Sequence, residues 1–226
     1  MTRLFVKVCG ITSPEDGVAA AEAGADAIGL VFWPESPRAV ALERARAIGE
    51  ALPPFVVRVG VFVDASRDEM ARAADAAGLD MLQLHGDEPP EAFADLPRRA
   101  LKAVRVGDGF APEDALRYAG KAAGILVDTR LPGGTPLPGG TGVPFDWSLV
   151  RGLAEQVRFL MLAGGLSPSN VAEAIGSARP HGVDVSSGVE SGPGRKDPEK
   201  VKDFVQAVRV AEASLAARDG KQWPGE

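Results

Sequence analysis

Short apolar runs alternate along the whole chain with longer stretches that are rich in alanine, glutamate and arginine. Most of the runs are almost continuously apolar over the length of a strand. This is typical of parallel strands whose outer face is covered by helices. The pattern predicts eight strands, at residues 5–9, 27–32, 56–63, 81–85, 101–106, 124–128, 159–163 and 183–186.

The stretches between these runs have the spacing of amphipathic helices. They predict helices at residues 14–23, 41–52, 67–77, 89–96, 112–119, 146–156, 168–176 and 198–217. Three of them begin with a capping side chain directly before a proline suited to the first turn, at Ser13-Pro14, Ser167-Pro168 and Asp197-Pro198. Gly24 and Gly78 follow their helices at the position where glycine is a common stop signal.

Eight strand–helix units in an unbroken series favour a closed (β/α)₈ barrel, the TIM barrel of the α/β class. An open, doubly wound sheet with extra strands would give a similar alternation and remains the alternative. The pattern predicts one barrel domain over residues 1–218, with a polar, disordered tail over 219–226. The connection at 129–145 is rich in proline and glycine, and its length predicts a functional lid or a disordered insert.

The charge balance and the cysteine count limit the class of protein. With 25 Lys and Arg against 31 Asp and Glu, the net charge of −6 gives no basic field for nucleic acid, so an anionic ligand must be held locally. The single cysteine, Cys9, excludes internal disulfides, and no apolar window is long enough for a signal peptide or a membrane span. We therefore expect a cytoplasmic protein with no nucleic-acid or membrane partner. The sequence does not decide between a monomer and a homodimer.

Two glycine-containing loops follow the last two predicted strands. In barrels of this type the active site lies at the carboxyl ends of the strands, and the loops after strands 7 and 8 often bind phosphate. Gly164 and Gly165 stand after strand 7, and Ser186, Ser187 and Gly188 stand at the end of strand 8. Their backbone N–H groups can point at an anion. Alone, each loop could equally be a tight turn, but together they favour a phosphate site.

Two candidates for proton transfer stand at the ends of apolar strands, Cys9 in the first and Asp128 in the sixth. Thiol chemistry needs a thiolate, and Lys7, two residues earlier, would face the same side and favour it. A general acid must hold a proton at neutral pH, so Asp128 must be buried, under the apolar strand and the long loop. The structural alternatives are an inert buried cysteine and a carboxylate that caps a turn.

Arg38 and His85 are candidates for substrate binding. Arg38 follows a proline in the loop after strand 2 and could pair with a carboxylate through its two-pronged guanidinium, although an ordinary surface arginine is the alternative. His85 ends strand 4 and could move protons, but a hydrogen bond in the barrel mouth is the favoured interpretation. His85, His181 and Cys9 lack the spacing of metal ligands, and no dinucleotide-binding or Walker-type glycine signature is present.

These residues stand in motifs that together resemble the phosphoribosylanthranilate isomerases of tryptophan biosynthesis, over residues 3–210. The similar segments are KVCGIT at 7–12, SPR at 36–38, QLHGD at 83–87, VDT at 127–129, GGTG at 139–142 with FDW at 145–147, AGGL at 163–166 and DVSSGVE at 184–190. Each segment is a weak signal by itself. Seven in the same order are highly specific.

The resemblance implies an Amadori rearrangement of an anionic aminoaldose phosphate to the aminoketose phosphate, without a cofactor. Asp128 matches the general acid that protonates the ring oxygen, and Cys9 matches the base that removes the proton from carbon two. Arg38 matches the residue that pairs with the anthranilate carboxylate, and the two glycine loops match the phosphate grip. Gly142, at the end of the GGTG segment, is also expected to contact the substrate.

Two other functions remain open at this stage. A different phosphate-binding barrel, a lyase or aldolase, could use Lys7 as a Schiff-base amine. A non-catalytic phosphosugar-binding protein could use the same fold, because fold alone does not establish activity.

Overall fold

The computed structural model describes residues 3–129 and 144–218, and its centre is a closed parallel barrel. The strands are β1 Phe5–Cys9, β2 Ala27–Val31, β3 Val57–Phe62, β4 Met81–Leu84, β5 Ala100–Val106, β6 Gly124–Thr129, β7 Leu160–Leu162 and β8 Gly182–Val185. β8 pairs with β1 in parallel, which closes the sheet. The predicted barrel is therefore confirmed, and the open-sheet alternative is wrong.

Alternation within the strands decides which side chains enter the barrel. Successive residues of a strand point to opposite faces, and here the outer face packs under the helices. In β1, Val6 and Val8 belong to the main core cluster between strands and helices. Lys7 and Cys9 alternate with them, so both enter the barrel. The same rule turns Asp128 of β6 inward beside Leu126, which belongs to a separate cluster inside the barrel.

Helices cover the outside of the barrel, at α1 Pro14–Glu22, α2 Leu42–Ala51, α3 Arg67–Ala76, α4 Pro112–Leu116, α5 Val171–Ala178 and α6 Pro198–Arg218. Two predicted starts are confirmed by their caps. The Ser13 side chain accepts a hydrogen bond from the backbone of Asp16, and Asp197 accepts two from the first turn of α6. The third is wrong, because α5 begins three residues after Pro168, behind Asn170 as its N-cap.

Two predicted helices are only 3₁₀ turns. The segment after β4 forms a turn at Pro90–Phe93 and then stops, because Asp95 has a positive φ of 57° that an α-helix cannot accommodate. After β6, Gly152 with φ 80° separates two turns, Trp147–Val150 and Leu153–Glu155. Both segments have the apolar spacing of a helix, but the positive φ of Asp95 and of Gly152 prevents a continuous helix.

A short hairpin that the sequence pattern did not predict follows β8. Its strands are β9 Glu190–Gly192 and β10 Arg195–Lys196, which pair antiparallel. The predicted tail at 219–226, most of the connection at 129–145 and, with it, Gly142 lie outside the described residues. In the part of the chain that the structure describes, no helix combines the length and apolar character needed to cross a membrane.

Candidate active site

An open cavity lies at the carboxyl ends of the barrel strands. Eight of the predicted site residues line it, namely Cys9, Arg38, His85, Asp128, Gly164, Gly165, Ser186 and Ser187. Gly188 does not line the cavity but lies in the same loop as Ser187. Two other polar residues at strand ends, Asp64 and Arg105, do not line it either. The sequence-based candidates therefore converge on one space.

Cys9 lies where the polar floor of the cavity meets an apolar wall. The thiol is 9% exposed and packs with Val31 and Val61, with Trp33 against the same cluster. Burial raises the pKa of the Cys9 thiol above its ordinary value, although the positive charge of Lys7 opposes that shift. A buried thiol that can still be reached from the cavity is suited to taking a proton from a bound substrate.

Asp128 is held by contacts on both carboxylate oxygens. Its Oδ1 accepts a hydrogen bond of 2.8 Å from the backbone N–H of Thr129. Its Oδ2 lies 3.2 Å from Nε2 of His85, within ion-pair range. That approach is not aligned as a hydrogen bond, since Nε2 has no hydrogen-bond partner among the described residues. Asp128 is 6% exposed, so its carboxyl group is largely screened from bulk water.

Gln83 fixes the other side of the His85 ring. Its side-chain amide nitrogen lies 2.9 Å from Nδ1 of His85. With Nδ1 accepting from this amide, the ring proton of a neutral imidazole is on Nε2 and faces Asp128. Gln83 and His85 are both turned into the barrel by the alternation of β4. The pair orients an imidazole N–H toward the candidate acid.

Arg38 makes a bidentate ion pair with Glu190, which the sequence analysis did not predict. Both hydrogen bonds, from Nε and from Nη2, are 2.8 Å long. Lys196 of the hairpin also donates to Glu190, at 2.8 Å. Burial works to raise the pKa of Glu190, but the Arg38 and Lys196 cations outweigh it and lower the pKa below its ordinary value. Arg38 and Lys196 share one carboxylate, so the net charge of this corner of the cavity is positive and can attract an anion.

The two glycine loops are packed directly against each other. A Cβ at Gly188 would lie 1.9 Å from the carbonyl oxygen of Leu166, so only glycine permits this approach. Gly164 and Gly165 have φ values of 84° and 63°, in the left-handed region that favours glycine. A Cβ at Gly164 would also lie 3.0 Å from Oδ1 of Asp128. The loops after β7 and β8 therefore form one edge of the cavity, beside the candidate acid.

Sequence reasoning missed several residues of the site. Asp184 and Trp33 line the cavity, Glu190 accepts hydrogen bonds from Arg38, and Lys196 donates to Glu190. Asp184 had a signal that could have been used, because it alternates with the apolar Val183 and Val185 and so must point inward. Among the described residues, no three His, Cys, Asp or Glu side chains are grouped as a metal ion would require.

Comparison with known proteins gives consistent matches across the chain. A family model described as N-(5'phosphoribosyl)anthranilate (PRA) isomerase matches residues 6–207. The N-(5'-phosphoribosyl)anthranilate isomerase of Pseudomonas fluorescens Pf-5 is 53% identical over 215 residues, which cover 92% of this chain and 97% of the relative.

Solved structures agree with these matches. The monomers of dimeric phosphoribosylanthranilate isomerase from Thermotoga maritima are 40% identical, with a TM-score of 0.81 over 92% of this chain and 99% of that one. A phosphoribosyl anthranilate isomerase in complex with reduced 1-(o-carboxyphenylamino)-1-deoxyribulose 5-phosphate is 42% identical, with the same TM-score and the same coverage of both chains.

Proposed function

The chain belongs to the N-(5'-phosphoribosyl)anthranilate isomerase family, and from this premise we propose that its cavity isomerises phosphoribosylanthranilate, with Asp128 as general acid and Cys9 as general base. The reaction is the aldose–ketose step of tryptophan biosynthesis that yields 1-(2-carboxyphenylamino)-1-deoxyribulose 5-phosphate. One observation carries the proposal. A thiol, a carboxyl group, an arginine and a double glycine loop, each from a different strand end, line a single cavity.

The phosphate of the substrate binds at the glycine loops. Backbone N–H groups of a tight turn bind a dianion without a cationic side chain, which suits a chain with a net charge of −6. Ser186 and Ser187 add hydroxyl donors at the same edge. With its phosphate fixed there, the ribose lies beside Asp128, because Gly164 of the same edge is in contact range of that carboxylate.

The anthranilate moiety binds at the other side of the cavity. Its aromatic ring fits the apolar wall of Val31, Trp33 and Val61, and its carboxylate faces the Arg38 guanidinium. Glu190 already occupies Nε and Nη2 of Arg38, so Nη1 is the nitrogen that is left for the substrate. The ligand of the 42% identical relative carries the same carboxyphenyl and phosphate groups at its two ends.

Asp128 starts the reaction by giving its proton to the ring oxygen of the ribose. The bond from carbon one to that oxygen then breaks, and the nitrogen lone pair forms the Schiff base. The Nε2–H of His85 lies 3.2 Å from Oδ2 of Asp128 and faces the carboxylate that forms when the proton leaves. His85 is a positioning residue in this step, because Gln83 fixes its ring toward the carboxyl group.

Cys9 completes the reaction as the base. Its thiolate takes the proton from carbon two, and the electron pair of that C–H bond moves toward the protonated imine to give an enolamine. Transfer of the enol proton to carbon one then yields the ketone. Cys9 and Asp128 end strands on different sides of the same cavity, so acid and base can act on neighbouring atoms of one bound sugar.

The structure argues against the alternative in which Lys7 forms a Schiff base. Lys7 is 0% exposed, and its Nζ is paired with Asp184 at 2.9 Å. A Schiff-base lysine needs a neutral amine that reaches the substrate carbonyl. Lys7 lies beneath the cavity rather than along its wall.

Growth rescue tests the proposed function in the cell. A bacterial strain that lacks its own phosphoribosylanthranilate isomerase is transformed with the wild-type chain and plated without tryptophan. We expect growth with this chain and none with the empty vector, while added tryptophan restores both. Soluble wild-type protein in a strain that still fails to grow would contradict the proposal.

The Arg38 assignment predicts a change in substrate affinity rather than in turnover. For Arg38→Met we expect KM to rise about 10- to 100-fold, since a hydrogen bond to a charged group contributes about 1.5–3 kcal/mol. The kcat value should stay within about threefold, because the proton-transfer groups are untouched. Steady-state kinetics with phosphoribosylanthranilate measures both constants.

A double variant separates affinity from folding. Arg38→Met leaves the buried Glu190 with one cation fewer, which lowers stability. Arg38→Met with Glu190→Gln removes that unpaired charge, so Tm should recover while KM stays high. If KM of both variants stays within twofold of wild type, the carboxylate is not bound by Arg38.

We further propose that the enzyme is cytoplasmic and is a monomer or a homodimer. Its only cysteine is the candidate base, so the fold depends on no disulfide. The Thermotoga maritima relative is named as a dimeric enzyme, which supports the homodimer.

A further inference from the structure

A buried ion pair lies directly under the cavity, and the mechanism above does not use it. Lys7 of β1 and Asp184 of β8 are register partners in the strand pair that closes the barrel. Lys7 Nζ lies 2.9 Å from Oδ1 of Asp184, and the two side chains are 0% and 8% exposed. Taking two charges out of water carries a large desolvation cost for each ion. A pair in this position therefore calls for a reason other than stability.

Lys7 and Cys9 share the space over one glycine. They lie two residues apart on β1, so both enter the barrel. A Cβ at Gly29 would lie 2.6 Å from the Cys9 Sγ and 3.1 Å from the Lys7 Nζ. Any other residue at position 29 would force the thiol and the ammonium apart. Because Gly29 has no side chain, the Lys7 ammonium can lie close to the Cys9 sulfur.

We propose that Lys7 is a positioning residue that holds a positive charge beneath the Cys9 sulfur and so stabilises its thiolate, while Asp184 keeps the ammonium charged and in place. This inference rests on the proposed role of Cys9 as the base. It assigns the buried pair to the negative charge that the Cys9 sulfur must carry before it takes the carbon-two proton. Lys7 touches no substrate in this account.

The charges around Cys9 come from four parts of the fold. Lys7 on β1 and Lys196 on β10 favour the thiolate, Asp184 on β8 disfavours it, and Arg38 faces it from the loop after β2. Arg38 and Lys196 are both bound to Glu190, which weakens their effect on the sulfur. Lys7 is the cation on the thiol's own strand, and its influence exceeds the opposing one of Asp184.

The state of Lys7 is consistent with this role. Burial lowers the pKa of Lys7, but Asp184 and Cys9 together outweigh burial, through their charges and hydrogen bonds, and leave the pKa above its ordinary value. Burial raises the pKa of Asp184, and the Lys7 cation opposes that shift. Because the pKa of Lys7 lies above its ordinary value, the ammonium is charged at neutral pH.

Alkylation of the single cysteine measures the effect directly. Iodoacetamide reacts with the thiolate, and Cys9 is the only cysteine of the chain, so the rate against pH reports its ionisation without substrate. For Lys7→Met we expect the alkylation midpoint to rise by about one pH unit or more. The rate at neutral pH then falls about tenfold, because one pKa unit is a tenfold change in the thiolate fraction.

Lys102 offers a matched control. It is also a buried lysine paired with a buried carboxylate, at 2.6 Å from Glu88, but its ammonium binds the Gly86 carbonyl and lies over the Tyr118 ring, outside the barrel. Lys102→Met removes the same charge from a similar pair. We expect its Cys9 midpoint to match wild type. An equal shift in both variants would mean that loss of a buried pair, rather than charge near the sulfur, is responsible, and would overturn the inference.

A second variant keeps the test decisive if Lys7→Met does not fold. Lys7→Met with Asp184→Asn removes both charges, and its midpoint should still lie above wild type because Lys7 has the larger influence on the thiol. A folded variant of either kind with a wild-type midpoint overturns the inference but leaves the isomerase proposal intact. Wild-type turnover in Cys9→Ser would instead overturn the role of Cys9 as the base and leave the Lys7 coupling measurable.

Discussion

Replacing Cys9 with serine lowers kcat for phosphoribosylanthranilate about a thousandfold, at the scale of losing a general base. Serine retains the size and the place over Gly29, but its hydroxyl does not ionise in the accessible pH range. The fluorescence decay of the substrate measures kcat. Product binding, followed by fluorescence titration, should stay within about threefold of wild type because Cys9 makes no contact that the phosphate or the carboxylate requires.

The pH dependence identifies the cause of that loss. The thiolate fraction grows as pH rises through the pKa of Cys9, and burial places that pKa above its ordinary value. The wild-type rate should therefore be bell-shaped in pH, because Cys9 must have lost its proton while Asp128 still holds one. The residual rate of Cys9→Ser should lack the rising limb. A serine variant with the same rising limb, or with wild-type kcat, would show that another group takes the proton.

Replacing Asp128 with asparagine should lower kcat by a similar factor, about 10²- to 10⁴-fold. The amide keeps an oxygen that can accept from the Thr129 backbone, but it has no proton to give to the ring oxygen. Ring opening then becomes the slow step. Asp64→Asn is the matched control, because Asp64 also stands at a strand end but does not line the cavity. We expect it to keep near-wild-type kcat.

An isotope effect separates the acid from the base. With substrate deuterated at carbon two, Cys9→Ser should show a full primary isotope effect, since breaking that C–H bond limits its rate. Asp128→Asn should show an effect near unity, since ring opening precedes deprotonation. The reverse pattern would exchange the two roles, and near-wild-type turnover of Asp128→Asn would remove Asp128 from the mechanism.

The strands could be predicted closely because their signal is local. An apolar run such as 124–128 must be buried on both faces, and the structure places β6 at Gly124–Thr129. The 3₁₀ turns after β4 and β6 could not be predicted, because the backbone conformation of a single residue interrupts the helix in each segment. The positive φ of Asp95 and of Gly152 ends each segment, although the apolar spacing continues. Hairpin β9–β10 is too short and polar to give a periodic signal.

The chemical residues of the site could be predicted, but the pairs that hold them could not. Cys9 and Asp128 end apolar strands, so their place at the barrel mouth follows from alternation and strand direction. Arg38 and Glu190 are 152 positions apart, and their contact depends on how the hairpin folds back over the mouth. From the sequence, the whole Arg38 guanidinium was expected to face the substrate. In the structure its Nε and Nη2 bind Glu190, so Nη1 remains for the substrate.

The most direct test of the account is the rate at which the purified wild-type chain consumes freshly generated phosphoribosylanthranilate, followed by the loss of its fluorescence. The account predicts rapid consumption that far exceeds spontaneous hydrolysis, that yields the aminoketose phosphate, and that stops when Cys9 is alkylated unless product is present to protect it. Consumption no faster than in buffer, or consumption unaffected by full alkylation of Cys9, would contradict it.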